Sequence, residues 1–336
     1  MDIQVKHHVC QIGMSAVFVP ERFIRCMTYQ TPDELPIMAA VLPAAFLRHG
    51  KSLNALLARY PEIYDNYWIT YDFERDCPPR YRVGQHTDEW GCVWHNRNEG
   101  LDGYVHGHPI AHRDGISDYT PPQNLSGYLP HGFMYLRILD LRGFEEAMFD
   151  FAEEPPELSM LLEKVTEVNV RHVEALCREK SDPVIIFGDD LGMQNGLAIG
   201  AEKWRRLLAP CFKRVYDVCK RYNRYVFMHT DGQIYEIMPD LQKAGVDMIN
   251  PQFRANGLDN LVRICKGKIP ICLDLDRQLF PFASPAELRR HVEEAVAALW
   301  IREGGLALNV ELGAEVPLEN MEALLSTLDG LRHYTA

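Results

Sequence analysis

Polar residues of the kinds that handle protons and metals stand directly after short apolar runs in this chain. Val184-Ile185-Ile186-Phe187-Gly188 ends in Asp189-Asp190, and Tyr225-Val226-Phe227-Met228 ends in His229-Thr230-Asp231-Gly232. Asn250 with Gln252, then Asp274, Asp276 and Arg277, then Glu311 follow three further runs in the same way. An imidazole and a carboxylate two residues apart can converge on one ion, and that pairing of nitrogen with oxygen suits zinc. The plain structural alternative is that Asp231 caps the next helix while His229 makes a hydrogen bond within the fold. Asp189 and Asp190 also carry two readings. One can accept backbone N–H groups at the following turn, and repulsion between the two raises a pKa, making one a proton donor or base. Asp274, Asp276 and Arg277 read first as an internal ion pair that fixes a loop. Asn250 and Gln252 reach either a substrate or a neighbouring loop. His86, His95, His106, His108 and His112 crowd a segment with Trp90 and Trp94, where a solvated loop is favoured over a pocket. There is no nucleophile-elbow serine, P-loop or H-E-x-x-H.

The elements that must position these residues are clearest in the second half. Five short apolar runs read as strands buried on both faces: Val184–Gly188, Tyr225–Met228, Val246–Asn250, Ile269–Leu273 and Leu306–Val310. A helical pattern follows each. Ala201–Tyr222 contains Pro210, which predicts a kink or break. Ile234, Ile237, Met238 and Leu241 share the face of the next helix, and Leu258–Cys265 is a short one. Ser284-Pro285-Ala286-Glu287 has the N-cap serine, early proline and third-position glutamate of a helix start, running to about Arg302. Pro317–Leu331 is the last helix. The first half is less regular. Glu21–Tyr29, Phe46–Arg59, Gly143–Phe151 and Leu158–Cys177 read as helices and Phe133–Leu139 as a strand. Tyr67–Val93 has no clean period, and Asn96–Asn124 reads as a long polar loop or lid.

Repeated strand–helix units imply a parallel sheet with right-handed crossovers. The fold expected is α/β, a (β/α)8 TIM-type barrel with an irregular N-terminal extension, as a single domain over residues 1–336. In such a barrel the residues after the strands share one face, where active sites are built. The lack of a strand followed by G-x-G-x-x-G lowers the open doubly wound alternative. With 336 residues, 47% hydrophobic and 24% charged, the composition is that of a soluble globular protein. The formal charge of −12 argues against nucleic acid or an anionic membrane as main partner. Nine scattered cysteines without a C-x-x-C pair point to reduced thiols and a cytoplasmic setting. Met1–His8 shows no apolar leader, and no run is long enough to span a bilayer.

Phe187-Gly188-Asp189-Asp190-Leu191-Gly192, Met228-His229-Thr230-Asp231-Gly232 and Ala244-Gly245-Val246-Asp247-Met248-Ile249-Asn250-Pro251-Gln252 together resemble the uroporphyrinogen decarboxylase superfamily. Pro317-Leu318-Glu319-Asn320, the opening Glu21-Arg22-Phe23 with Pro32-Asp33 and Leu35-Pro36, and Asp88-Glu89-Trp90-Gly91 add to the resemblance. It spans nearly the whole chain, is strongest from about residue 180, and implies a (β/α)8 barrel. The superfamily's two main activities are cofactor-free decarboxylation of uroporphyrinogen and zinc-dependent methyl transfer to or from a corrinoid protein. The decarboxylases' early arginine-rich segment corresponds here to Pro36–Pro43, which has no arginine, and their late G-H-G to Gly313-Ala314-Glu315. A substrate with many carboxylates needs paired cations, so that activity is disfavoured. The methyltransferases' H-x-C corresponds to His229 and Asp231, and their later cysteine to Ala314.

The resemblance therefore implies a corrinoid-dependent methyltransferase, the substrate-side component of an O-demethylase. It would move a methyl group from a methyl ether, of an aromatic veratrole or guaiacol type, to cob(I)alamin on a partner corrinoid protein. The residues expected to act are Asp189, Asp190, His229 and Asp231, with Asn250, Gln252, Asp274 and Arg277 on the substrate. Zinc would lie on His229 and Asp231 with Glu311 or Asp190 as the third ligand, and Trp90 or Trp94 would stack on an aromatic ring. A homodimer is the assembly that relatives suggest. Two alternatives stay open: a decarboxylase or lyase acting on a small carboxylic acid, and a non-catalytic binder of the corrinoid protein.

Overall fold

The structure, a computed structural model, describes residues 20–334. Met1–His8 and Cys10 lie outside the described residues. The strands are β1 (Ile37–Val41), β2 (Gly84–Thr87), β3 (Val93–Asn96), β4 (Tyr104–Gly107), β5 (Val184–Gly188), β6 (Tyr225–Thr230), β7 (Met248–Pro251), β8 (Ile271–Asp274) and β9 (Leu306–Leu312). Six of them form a sheet of order β1-β9-β8-β7-β6-β5, and β2-β3-β4 form a small separate one. The pairs β1–β9, β8–β9 and β5–β6 are parallel, with Ile37 opposite Leu308, Ile271 opposite Leu306 and Gly188 opposite His229. From β5 onward each strand is followed by a helix, the last being Leu318–Leu331. This is the α/β, TIM-type class expected from the sequence.

The chain gathers into two compact units. One takes in residues up to Val83, Asn96–Gly103 and everything from Asn250; the other holds Gly84–His95 and Tyr104–Ile249. In the second unit, Phe133, Phe187, Trp204, Phe212 and Tyr216 are fully buried. Phe133 meets Phe187 and Phe212 at 5.2 Å between ring centroids, and Phe187 meets Tyr216 edge-on at 5.1 Å. Each such pair contributes ~1 kcal/mol beyond the area it buries. In the first unit, Cys272, Leu273, Leu308 and Val310 are fully buried, as are Val292, Val296, Leu324 and Leu325 from the helices Pro285–Leu299 and Leu318–Leu331. The expected capping box is present: Ser284 Oγ accepts from Glu287 N–H while the Glu287 carboxylate accepts from Ser284 N–H.

Four sequence expectations are corrected. Phe133–Leu139 is not a strand, because Tyr135–Arg142 is a helix with Tyr135, Ile138, Leu141 and Arg142 buried at helical spacing. A short apolar run does not distinguish strand from helix by itself. Phe46–Arg59 is two helices, Pro43–His49 and Lys51–Leu57, parted by Gly50 at φ +52. Of the kink or break expected at Pro210 the break is absent: a π-helical turn over Trp204–Leu208, a local irregularity of the helix, feeds directly into the helix Ala209–Arg221. The wider turn accommodates the residue that has no N–H to give. Asn96–Asn124, read as a loop, contains β4 and a helical turn at Gly115–Asp118. The eight cysteines among the described residues are free thiols. Among those residues no helix is long and apolar enough to cross a membrane.

Two buried charge networks stiffen the second unit. Asp150 accepts from Arg113 Nε at 2.7 Å and Arg142 Nε at 2.8 Å, with both Asp150 and Arg142 side chains out of water. Asp150→Ala would leave Arg142 buried and half-satisfied, and a loss of ~3–5 kcal/mol in urea unfolding is expected. The second network centres on Asp88, which accepts from Trp90 N–H, Cys92 N–H, Trp94 Nε1 and Arg137 Nη1 at 2.8–3.0 Å. Arg137 is buried with its guanidinium 5.2 Å from the Trp90 ring, and Asp140 lies 3.8 Å from it. Burial pushes the Asp140 carboxyl up from 3.8 to about 6, against the lowering charge of Arg137. Between about pH 4 and 6 the folded chain then binds more protons at Asp140 than the unfolded chain does, so stability falls as pH rises through that window. Asp140→Asn removes this dependence. The urea midpoint of the variant relative to that of the parent should rise between about pH 4 and 6; a difference that stays constant over this window would refute the assignment.

Candidate active site

The register of β5 and β6 sets Gly188 opposite His229, so the polar ends of the two strands lie side by side. Asp189 N–H donates to His229 O at 3.1 Å and carries the ladder one residue further. Successive side chains on extended backbone point opposite ways, and the two aspartates part accordingly. Asp189 is fully buried and accepts from the N–H groups of Met134, Tyr135 and Leu136 at 3.0, 2.6 and 2.9 Å. It thus anchors the start of the helix Tyr135–Arg142, not the turn that follows it. Burial pushes its carboxyl up to about 6, opposed by the N–H donors of Leu136, Tyr135 and Met134.

Asp190 turns to the other side and meets two imidazoles. Its Oδ2 is 3.0 Å from His131 Nε2 and its Oδ1 4.0 Å from His229 Nε2; the two rings lie 5.6 Å apart. Burial opposes the charged form of Asp190. The hydrogen bond and charge of His131, the charge of His229 and the Asp231 N–H outweigh it and hold the carboxyl well below the usual range. Asp231 Oδ1 is 3.4 Å from His229 Nε2, and the N-cap position of the next helix, Met238–Ala244, is held by Ile237 without a side-chain bond, so Asp231 is not its cap.

Glycines make the crowding possible. A Cβ on Gly188 would fall 2.5 Å from His131 Nδ1, so only glycine leaves room for that ring. A Cβ on Gly232 would fall 2.1 Å from Gly192 C, and the φ of +82 there is one that glycine alone adopts easily. Gly192 N–H reaches Asp231 O at 3.1 Å, and Leu191 N–H reaches Thr230 Oγ1 at 3.0 Å. The loops after β5 and β6 are therefore locked backbone to backbone.

His131, Asp190 and His229 offer two nitrogens and one oxygen within 4.8 Å of one another, the one such group among the described residues. Bonds of ~2.1 Å on a tetrahedral ion place ligand atoms ~3.4 Å apart. The three donor atoms all lie within 4.8 Å of one another, so the set can close on a zinc-like ion with a modest inward adjustment. His131 was not singled out in the sequence. The available signal was an imidazole between Pro130 and Gly132 in an otherwise apolar stretch.

The remaining expected polar residues lie in the other unit. Asn250 Nδ2 donates to Cys272 O at 2.5 Å, and Gln252 pairs its backbone with Asp274 and accepts from Asn256 Nδ2 at 2.8 Å. Asp274 accepts from Asn309 Nδ2 at 3.0 Å. Arg277 Nη1 donates to Glu311 Oε1 at 2.6 Å, so Glu311 is in an ion pair, outside the two-histidine group. Asp276 pairs with Arg254 at 2.8 Å. Of the tryptophans, Trp90 is buried beneath Arg137, and Trp94 stacks on His86 at 6.1 Å.

Residues 138–331 match the sequence profile described as uroporphyrinogen decarboxylase (URO-D). A methyltransferase from Methanosarcina mazei superposes with a TM-score of 0.63 at 14% identity, covering 92% of this chain and 97% of the other. A glycosylated endo-beta-1,4-xylanase from Gloeophyllum trabeum overlaps with a TM-score of 0.38 at 11% identity, over 65% of this chain and 78% of that one. No curated protein sequence matches. The first of these likenesses speaks to the fold, and the profile spans more than half of the chain: this protein belongs to the uroporphyrinogen decarboxylase family.

Proposed function

We propose that this protein is a corrinoid-dependent methyltransferase that takes a methyl group from a methyl ether and passes it to cob(I)alamin carried by a corrinoid protein. The observation that carries the reading is the His131–Asp190–His229 group at the ends of β5 and β6. In support, the structural neighbour from Methanosarcina mazei is described as a methyltransferase. The methyl–oxygen bond breaks, the methyl carbon takes up the cobalt electron pair, and the oxygen keeps the bonding pair and gains a proton.

The difficulty of that step is the charge left on oxygen. A zinc ion on His131, Asp190 and His229 would supply a Lewis acid for it. Around such an ion the chain's own residues have defined tasks. Asp190 would sit between the two imidazoles as the carboxylate ligand, while Asp231 presents a further carboxylate oxygen 3.4 Å from His229. Asp189 holds the segment that carries His131, and Thr230 holds the loop after β5. A donor set of nitrogen and oxygen without thiolate makes a harder Lewis acid than a cysteine site, which matches an ether oxygen better than a thiol.

The test is anaerobic. The protein is mixed with a corrinoid protein in the cob(I)alamin state and with methyl ethers, methylamines or methyl thioethers, and methylcobalamin is followed by its visible spectrum. Methylation from ethers is expected, with His131→Ala and His229→Ala each losing more than the ~100-fold that removal of a supporting partner costs. Metal content should fall with the same substitutions. No methylation by any donor, or full activity in both variants, would overturn the proposal.

A further inference from the structure

Two thiols outside the candidate site lie against each other within the second unit. Cys177 stands in the last turn of the helix Pro156–Glu179 and Cys219 in the last turn of Ala209–Arg221, and these helices pack together. Both are buried free thiols, joined by a sulfur-to-sulfur hydrogen bond. We propose that this pair is an oxidation site, at which a peroxide forms an intramolecular disulfide between Cys177 and Cys219.

The ends of the two helices are held in register around the pair. Arg178, next after Cys177, donates from Nε to Tyr222 OH at 2.9 Å, just past Cys219. Arg224 reaches back to the end of the first helix, Nη2 donating to Lys180 O at 2.9 Å and Nη1 to Ser181 O at 3.3 Å. Thiols already in hydrogen-bond contact need only a short approach to reach the bonded length of about 2.05 Å. Burial does not seal them off. Terminal helical turns open most readily, and Arg178, Glu179 and Arg221 beside the thiols are exposed. A peroxide scarcely larger than water can enter through such an opening. The cross-link would staple the ends of the helices that lead into β5 and β6, the strands that end beside Asp190 and His229.

Local chemistry assigns the roles. The thiolate is the nucleophile, and its abundance follows the thiol's pKa. The S–H of Cys219 donates to the Cys177 sulfur, and that bond, with the charge of Arg224, holds Cys177 below the usual thiol range against the effect of burial. Cys219 is pushed up by the same bond and by burial. Burial pushes up Cys26, Cys77, Cys92, Cys211, Cys265 and Cys272 as well. Cys177 therefore attacks first. Its sulfur bonds to one peroxide oxygen, the O–O bond breaks, and hydroxide leaves to take up the proton that Cys177 gave up, leaving a sulfenic acid. The Cys219 sulfur then attacks the Cys177 sulfur. The S–S bond forms, the S–O bond breaks, and the Cys219 proton leaves with the oxygen as water. Two thiols give up two electrons in all, and hydrogen peroxide is reduced to two waters.

The reduced whole chain is exposed to hydrogen peroxide, quenched by alkylation under denaturing conditions and cut with trypsin. Cys177 and Cys219 fall in separate peptides, His172–Arg178 and Val215–Lys220, with one cysteine each. The two peptides are expected as one linked species that dithiothreitol parts again. The link should form at least ~10-fold faster than any oxidation of the six other cysteines among the described residues. In Cys219→Ser the Cys177 sulfur should stop at the sulfenic acid and be trapped by dimedone. The linked peptides are read on the unaltered sequence, so the test stands even where the serine variant folds poorly. No linked species, earlier oxidation of another described cysteine, or passage of both sulfurs to sulfinic acids without a link would overturn the proposal. None of these readouts involves methyl transfer, so the two proposals can fail separately.

Discussion

The buried carboxylate of Asp189 accepts the N–H groups of Met134, Tyr135 and Leu136, and much of the candidate site depends on that attachment. It joins the end of β5 to the first turn of a helix more than fifty residues earlier in the chain. His131 stands three residues before Met134, and Gly132 N–H adds a bond to Gly188 O at 2.8 Å. A helix start leaves backbone donors unsatisfied, and a carboxylate is the group best able to take several of them. Because adjacent side chains on extended backbone diverge, the same dipeptide that anchors the helix through Asp189 directs Asp190 toward His131 and His229. Position and chemistry are thus divided between two neighbouring aspartates.

Close backbone approach is the second condition. Gly188, Gly192 and Gly232 stand where any side chain would collide with His131 or with the facing loop. They leave a surface in which two imidazoles and a carboxylate converge with little freedom to spread. That rigidity suits a group that must hold an ion or a proton at one place, since ligands already near their working separation lose little entropy on binding.

Elsewhere, similar residue types do different work. Arg137 and Asp88, Arg142 and Asp150 are buried pairs whose role is to hold helices and loops of their unit. Arg254 and Arg277 are held by acids too, yet they face an open cavity. Burial separates the two cases: the guanidinium groups of Arg137 and Arg142 are sealed from water, while those of Arg254 and Arg277 are partly exposed.

The succession of strand and helix from β5 onward was legible in the sequence, because strands buried on both faces must be short and apolar, and helix starts carry their own caps. That polar residues cluster after the strands, and that Asp190 and His229 belong together, followed from the same pattern. β1 escaped notice, since Ile37-Met38-Ala39-Ala40-Val41 is brief and its alanines favour no period. Tyr135–Arg142 was misread because its apolar run is too short to reveal its periodicity. His131 could not be placed at all. Its proximity to Asp190 arises from a hydrogen-bonded attachment across a long sequence separation, and from the space left by one glycine. Local pattern determines which elements form and where their polar ends lie. Only tertiary structure decides which distant side chain fills the gap between them, because that choice is made by through-space packing and by where buried backbone donors find an acceptor.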